Sequence, residues 1–302
     1  MISSPILLVT FNRPDTTQKV FDVIKKAKPP RLYVSNDGPR MGNDQDIKAR
    51  NEIKDIVNQV DWECEVFTNF YKDNLGCGRA ISGAIKWVFE NEDRLIILED
   101  DCVPAMSFFN YCNHCLEKYK DDERIMHIAG NNYTEKHNYT NEDYLFSKYE
   151  HCSGWATWKR AWLQFDYEMK DWPFFRDNKL FEFCNSKKET FYYEKLINMY
   201  YNDKNQPWAL RWEFAIFKMN GLSIVPRINL VKHIGDFGTH STNELKYKVD
   251  LDLDFIVINE PLDVIRNEKY DKYHFENYIN KKRPLLIRVY SRLKKIMNKL
   301  LK

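Results

Sequence analysis

Along residues 1 to 130, short apolar runs alternate with stretches in which apolar residues recur every three or four positions. The first kind reads as buried strand and the second as amphipathic helix. The strand candidates are "PILLVTF" (5 to 11), "RLYVSND" (31 to 37), "CEVFTNF" (64 to 70), "RLIILED" (94 to 100) and "IMHIAG" (125 to 130). Between them lie a helix from Asp15, its N-cap, to about Lys28, then "DQDIKARNEIKDIVNQV" (44 to 60), "GRAISGAIKWVFENE" (78 to 92) and a helix over 106 to 119. Strands alternating with helices predict an α/β fold whose mostly parallel central sheet is flanked by helices.

In such sheets, ligands bind outside the carboxyl ends of the strands. The residues there are "NRPD" after the first strand, "NDGPR" after the second and "EDD" after the fourth. Glu99, Asp100 and Asp101 follow four apolar residues directly. Adjacent carboxylates repel, the more so as water is excluded, and the triplet asks for a positive partner. A metal ion is one candidate, and a solvated loop is the plain alternative. "NLGCGRA" (74 to 80) lacks the Gly-Lys-Ser/Thr of a P-loop and the third glycine of a dinucleotide fingerprint. Gly76 and Gly78 nevertheless lead into a helix whose free N–H groups favour anions, with Arg79 alongside.

Composition narrows the class. The 302 residues are 43% hydrophobic and 15% aromatic, enough for a large core in one big domain or two. No apolar run approaches the ~20 residues that span a bilayer, and the start lacks the basic region and apolar stretch of a signal peptide. Seven scattered cysteines suggest reduced thiols and a cytoplasmic location. "CNHC" (112 to 115) has a metal-like spacing without a second pair, so two half-buried helix cysteines are the competing reading. The net charge of +2 conceals a tail, 281 to 302, with nine Lys or Arg and no acid; the remaining 37 basic residues face 44 acidic ones. An acidic body argues against nucleic acid as a partner.

The ordered set "VTFNRP", "VSNDGP", "NLGCGRAISGAIKWVFE" and "LIILEDDCVPAMSFFNYC", resumed in "GLSIVPRINLVKHIGDFGTHS" (221 to 241), resembles nucleotide-sugar glycosyltransferases of the GT-A fold. The likeness is to the N-acetylglucosaminyltransferase I family and its bacterial relatives. It implies a GT-A type, Rossmann-like sheet with a nucleotide-sugar half over 1 to 130, an acceptor half over 131 to 250 and a C-terminal extension over 251 to 302. It implies a metal-dependent, inverting transfer from a nucleoside diphosphate sugar, UDP above all, to a hydroxyl of a glycan or lipid-linked acceptor. Carried over, Asp101 ligates Mn²⁺ or Mg²⁺, Asp100 contacts the ribose, and Thr10, Asn12 and Arg13 lie near the nucleotide. Asp37 would accept a hydrogen bond from uracil N3–H, and His240 would close on the diphosphate or metal. Plain turn chemistry explains "NRPD" and "NDGP" equally well.

Residues 151 to 212 are crowded with aromatics. Sugar C–H faces stack on indole rings, which makes Trp155 or Trp158 the acceptor platform, although most such rings are core. Inverting transfer also needs a general base. Where the resemblance implies a Trp-Asp pair this chain has Trp208 and Ala209, which leaves Glu213, one helical turn later, or another acid such as Asp236, or no base at all. A sugar-phosphate nucleotidylyltransferase and a non-catalytic sugar-binding module are the rival functions. Finally, "RPLLIRVYSRLKKIMNKLLK" places Leu285, Val289, Leu293, Ile296, Met297 and Leu300 on one stripe among basic residues, the pattern of a helix lying peripherally on an anionic membrane surface. Docking back on the body or dimerisation is the other use for it.

Overall fold

The computed structural model describes residues 2–134, 137, 139–184, 186–203, 208–235, 251 and 254–280. Strand β1 (Ile6–Thr10) leads to α1 (Pro14–Ala27), β2 (Arg31–Asn36), α2 (Asp44–Val57), β3 (Glu65–Phe70), α3 (Gly76–Val88) and β4 (Arg94–Glu99). A short β5 (Cys102–Pro104), α4 (Met106–Lys118), β6 (Ile125–Ala129), β7 (Tyr144–Ser147) and β8 (Trp155–Trp158) follow. Helices α5 (Lys159–Trp162), α6 (Trp172–Asn178), α7 (Leu180–Phe183), α8 (Lys187–Asn202) and α9 (Ala209–Lys218) precede β9 (Leu222–Pro226) and β10 (Val231–His233). Helix α10 (Glu268–His274) runs into a π-helical turn over Phe275–Ile279.

Eight strands form one sheet in the order β3-β2-β1-β4-β8-β6-β9-β7, in which only β8 and β7 run against the rest. The fold is therefore α/β with a mostly parallel, Rossmann-like central sheet flanked by helices. Strands β1 and β4 are buried along nearly their whole length because helices cover both faces, which is why they read as continuous apolar runs. One face packs Val20, Phe21 and Ile24 of α1, Ile56 of α2, and Phe108 and Cys112 of α4 against Leu8, Val34 and Ile96. The other packs Ile81, Ala84, Ile85 and Val88 of α3 and Trp212 and Ile216 of α9 against Leu7, Tyr33 and Ile97. A smaller cluster joins α6 and α8 to Phe214 and Phe217 of α9.

Local chemistry sets the ends. Helix α1 starts with Pro14 in its first turn, with Arg13 at the cap position, so Asp15 is a first-turn acid and not the cap. The Asn43 side chain accepts from the amides of Gln45 and Asp46 to begin α2. Cys112 and Cys115 are buried in the apolar core, and among the described residues they belong to no cluster of metal-ligating side chains, which argues against the zinc reading of "CNHC". The part of the C-terminal extension that is described is built into the body: Phe255 joins the core, and buried Asp271 accepts from Ser147 at 2.6 Å and pairs with Arg266. Residues 281 to 302, with their basic stripe, lie outside the described residues, as do Asp236 and His240. Among the described residues no helix is long and apolar enough to cross a membrane.

Candidate functional site

The carboxyl ends of β1, β2 and β4 open into a cleft of about 600 Å³ lined by residues of all three strand ends, the start of α3 and the segment after β10. The floor holds the acidic triplet. Arg13 answers part of the demand for positive charge: its guanidinium pairs with Asp100 and, at 2.9 Å, with Asp101. The three carboxyls differ sharply in state. Burial, reinforced by the charges of Asp101 and Asp100, pushes Glu99 up to about 8. Burial raises Asp100 to about 6, against the pull of Arg13. Asp101 is buried too, yet the hydrogen bond and charge of His233, joined by Arg13, hold it well below the ordinary carboxylate range. At neutral pH the triplet thus keeps its firmest negative charge on Asp101.

His233 reaches this carboxylate because β10 pairs antiparallel with β5, setting His233 opposite Cys102, and Ile234 N–H donates to Asp101 O at 2.8 Å. Its Nε2 stands 3.4 Å from Asp101 Oδ2. A Cβ on Gly235 would lie 2.4 Å from Asp101 Oδ2 and 2.9 Å from His233 Cε1, so any larger residue there would displace these two groups. Ligand atoms of Asp101, Cys102 and His233 all fall within 4.8 Å of one another. Burial keeps the Cys102 thiol protonated, so the usable donors are one carboxylate and one imidazole. That pair fits a divalent ion with most of its coordination sphere left for phosphate and water. The imidazole suits Mn²⁺ better than Mg²⁺, which prefers an all-oxygen shell.

Asn12 and Arg40 are fixed together. Asp46, buried at the start of α2, accepts from Asn12 Nδ2 at 2.8 Å and from two Arg40 nitrogens at 2.7 and 2.8 Å. Arg40 also lies over the Phe11 ring, 5.6 Å from its centroid. Thr10 lines the cleft, with its hydroxyl bonded to Ser35 O and Asn36 Nδ2. Asp37 lines it as well, but its oxygens accept from Gly38 N, Leu75 N, Gly76 N and Asn74 Nδ2 at 2.8 to 3.0 Å. Those four bonds match the capacity of a carboxylate and tie the second strand end to the start of α3, so a nucleobase contact would have to displace one of them. A Cβ on Gly38 would sit 2.2 Å from the Asp73 carbonyl carbon, so only glycine lets these two loops meet.

Three expectations fare differently. Arg79 is absent from the cleft lining; its guanidinium lies 4.6 Å from the Tyr167 ring centroid and 3.6 Å from Glu168. Trp155 and Trp158 are 0% and 3% exposed, and Trp155 stacks with Trp208 and His127 inside the core. Neither ring offers a face to a sugar, because β8 is an interior strand covered on both sides. Glu213 lies on α9 as the helical spacing implied, but it lines a second cavity and accepts from Tyr193 Oη at 2.9 Å. Arg40, Asp46 and His233 escaped the sequence reading. "NDGPR" held a signal for Arg40, whereas His233 depends on a pairing between segments far apart in the chain.

No family model matches the chain, and no curated protein does. Solved structures overlap it only loosely. HddC from Yersinia pseudotuberculosis shares 13% identity at a TM-score of 0.30, over 42% of this chain and 57% of its own. A UDP-glucose pyrophosphorylase in complex with UDP-glucose shares 10% at 0.28, over 48% and 62%. The 4-diphosphocytidyl-2C-methyl-D-erythritol synthase of Anaerococcus prevotii shares 9% at 0.34, over 65% and 83%. The chain thus spans under two thirds of the first two structures. Overlap at this level assigns no activity, and none of the three names the N-acetylglucosaminyltransferase I family.

Proposed function

We propose that the chain is a metal-dependent glycosyltransferase that moves a sugar from a nucleoside diphosphate sugar, UDP-linked above all, to a hydroxyl of a glycan or lipid-linked acceptor. The observation behind it is the convergence of Asp101 and His233, with Arg13 beside them, at the ligand edge of a parallel sheet. Asp101 and His233 would hold Mn²⁺ or Mg²⁺, which supplies a Lewis acid for the charge on the departing diphosphate. Arg13 and Arg40 stand where they can meet phosphate oxygens, and the residues at the strand ends shape the nucleoside pocket. Glu213, whose carboxyl is raised by burial and by the charge of Glu150, would take the acceptor proton as the acceptor oxygen bonds to the anomeric carbon and the bond to the diphosphate breaks. The basic tail would hold the enzyme at an anionic membrane surface.

The second reading is nucleotidyl transfer to a sugar phosphate. The printed names of the pyrophosphorylase and the cytidyl-sugar synthase stand nearer to this reading, although the overlaps are too small to decide for it. Against it, the loop after β1, "FNRPD", has no glycine to cradle a triphosphate. One assay separates them. With Mn²⁺, a nucleoside diphosphate sugar releasing UDP supports glycosyl transfer. Pyrophosphate released from UTP and a sugar 1-phosphate, without UDP release from the sugar nucleotide, overturns it.

A further inference from the structure

The second cavity, of 170 Å³, lies between α8, α9 and the π-helical turn after α10. Its walls include Tyr192 and Tyr193 from α8 and Tyr278 from the turn; its polar groups are Glu150, Glu213, His151 and His274. Tyr278 is fixed in place by stacking on Tyr133 at 4.4 Å and 7°, and on His274 at 5.0 Å. Buried His274 has an Nδ1 with no hydrogen-bond partner among the described residues. An unmatched buried imidazole nitrogen on a residue that lines a cavity also lined by two carboxyl groups indicates a polar occupant that would complete it.

We infer that this cavity is a saccharide subsite that takes one pyranose ring, with the tyrosine rings against its C–H faces and Glu150 and Glu213 as acceptors for its hydroxyls. The inference rests on the glycosyltransferase reading for its place in a reaction, but not for the binding itself. The volume falls below the ~300 Å³ at which drug-sized pockets begin, which limits the occupant to a single ring. Burial raises both carboxyls, and the charge of Glu150 raises Glu213 further, so a protonated carboxyl can donate to a sugar hydroxyl and an ionised one can accept. An ammonium ligand is the other guest suited to a tyrosine-walled site, and it would be held by charge and ring faces in place of hydroxyl hydrogen bonds. An anionic guest would meet a carboxylate.

The test is saturation-transfer NMR on the full chain with the methyl pyranosides of glucose, galactose, mannose and N-acetylglucosamine, and with choline as the cationic probe. Glu150→Gln keeps the shape of the cavity and removes one acceptor; Leu196→Trp fills it from α8. At least one pyranoside should bind, about tenfold more weakly to Glu150→Gln, not at all to Leu196→Trp, and unchanged to Asp101→Ala. Failure of every pyranoside, preference for choline, or equal binding by both cavity variants overturns the subsite. Pyranoside binding that behaves as described, in a protein without UDP-sugar turnover, would leave the subsite standing and remove only the transferase reading.

Discussion

His127 offers a quantitative test of how this core is built. It is fully buried on β6, and Trp212 Nε1 donates to its Nδ1 at 3.1 Å. An indole nitrogen can only donate, so Nδ1 is unprotonated and Nε2 carries the hydrogen, facing His151 O at 3.2 Å, with the His151 amide nitrogen 3.3 Å from the same Nε2. Protonation would set one N–H against another, and burial lowers the group from 6.5 to about 3. A histidine whose folded value is lowered favours the neutral form in the fold. Its contribution is complete above the unfolded value and is lost as pH falls from there toward the folded one. Between pH 7 and pH 5 the loss is about 2 kcal/mol, and any folded value below about 4 gives nearly the same result. Total stability is a poor readout, because Glu99 and the Glu150 and Glu213 pair have raised values and gain stability over the same range. The proper measurement is the difference between wild type and His127→Asn in urea unfolding at the two pH values. Asn keeps an acceptor for Trp212 and does not titrate. At pH 7 the variant should be less stable, and the gap should close by about 2 kcal/mol at pH 5. A gap that stays constant would refute the buried neutral imidazole.

Four further outcomes are expected. Asp101→Ala should abolish Mn²⁺-dependent UDP binding in calorimetry and, because it removes the carboxylate that Arg13 and His233 share, should also lower the unfolding midpoint while the chain still folds. Gly235→Ala, with its Cβ driven into Asp101 and His233, should weaken Mn²⁺-dependent UDP binding at least tenfold, or ~1.4 kcal/mol. Lys148→Met takes the cation away from the buried Glu189 carboxylate, which keeps its hydrogen bond from Tyr149 Oη, and should cost about 3 kcal/mol in denaturant unfolding. In flotation with anionic liposomes, the full chain should float and a chain ending at Asn280 should not; equal flotation of the two removes the tail from any membrane role.

Much of the α/β scaffold was legible because buried parallel strands and amphipathic helices write opposite periods, and predicted ends such as 31 to 37 and 106 to 119 agree with β2 and α4 to within a residue or so. The acidic triplet was legible for a similar reason, as charge directly after a buried strand. Other features depended on contacts between distant segments. His233 matters only through the pairing of β10 with β5, and Asp46 only because the start of α2 turns toward Asn12 and Arg40. Trp155 misled because an aromatic on an interior strand and one at a binding face look alike in a linear sequence. Glu150 gave no signal at all, since its company of tyrosines comes from residues 192 to 278.

The antiparallel β8, set between β4 and β6, bears on how this chain can be synthesised. Residues 155 to 158 cover the edge of β4, with Trp155 opposite Ile97 and Trp158 opposite Arg94. A nascent chain that has emerged only as far as Gly130 has β1 to β4 in hand but nothing to seal that edge, and β6, apolar and newly exposed, has not yet been separated from it. Unpaired apolar edges recruit strands from other molecules, and partly made sheets are where aggregation begins. The ribosome must deliver about thirty more residues before the wedge arrives. A fragment ending near residue 130 should therefore be less soluble than the whole chain, and slowing translation just after that point should raise the yield of aggregated protein.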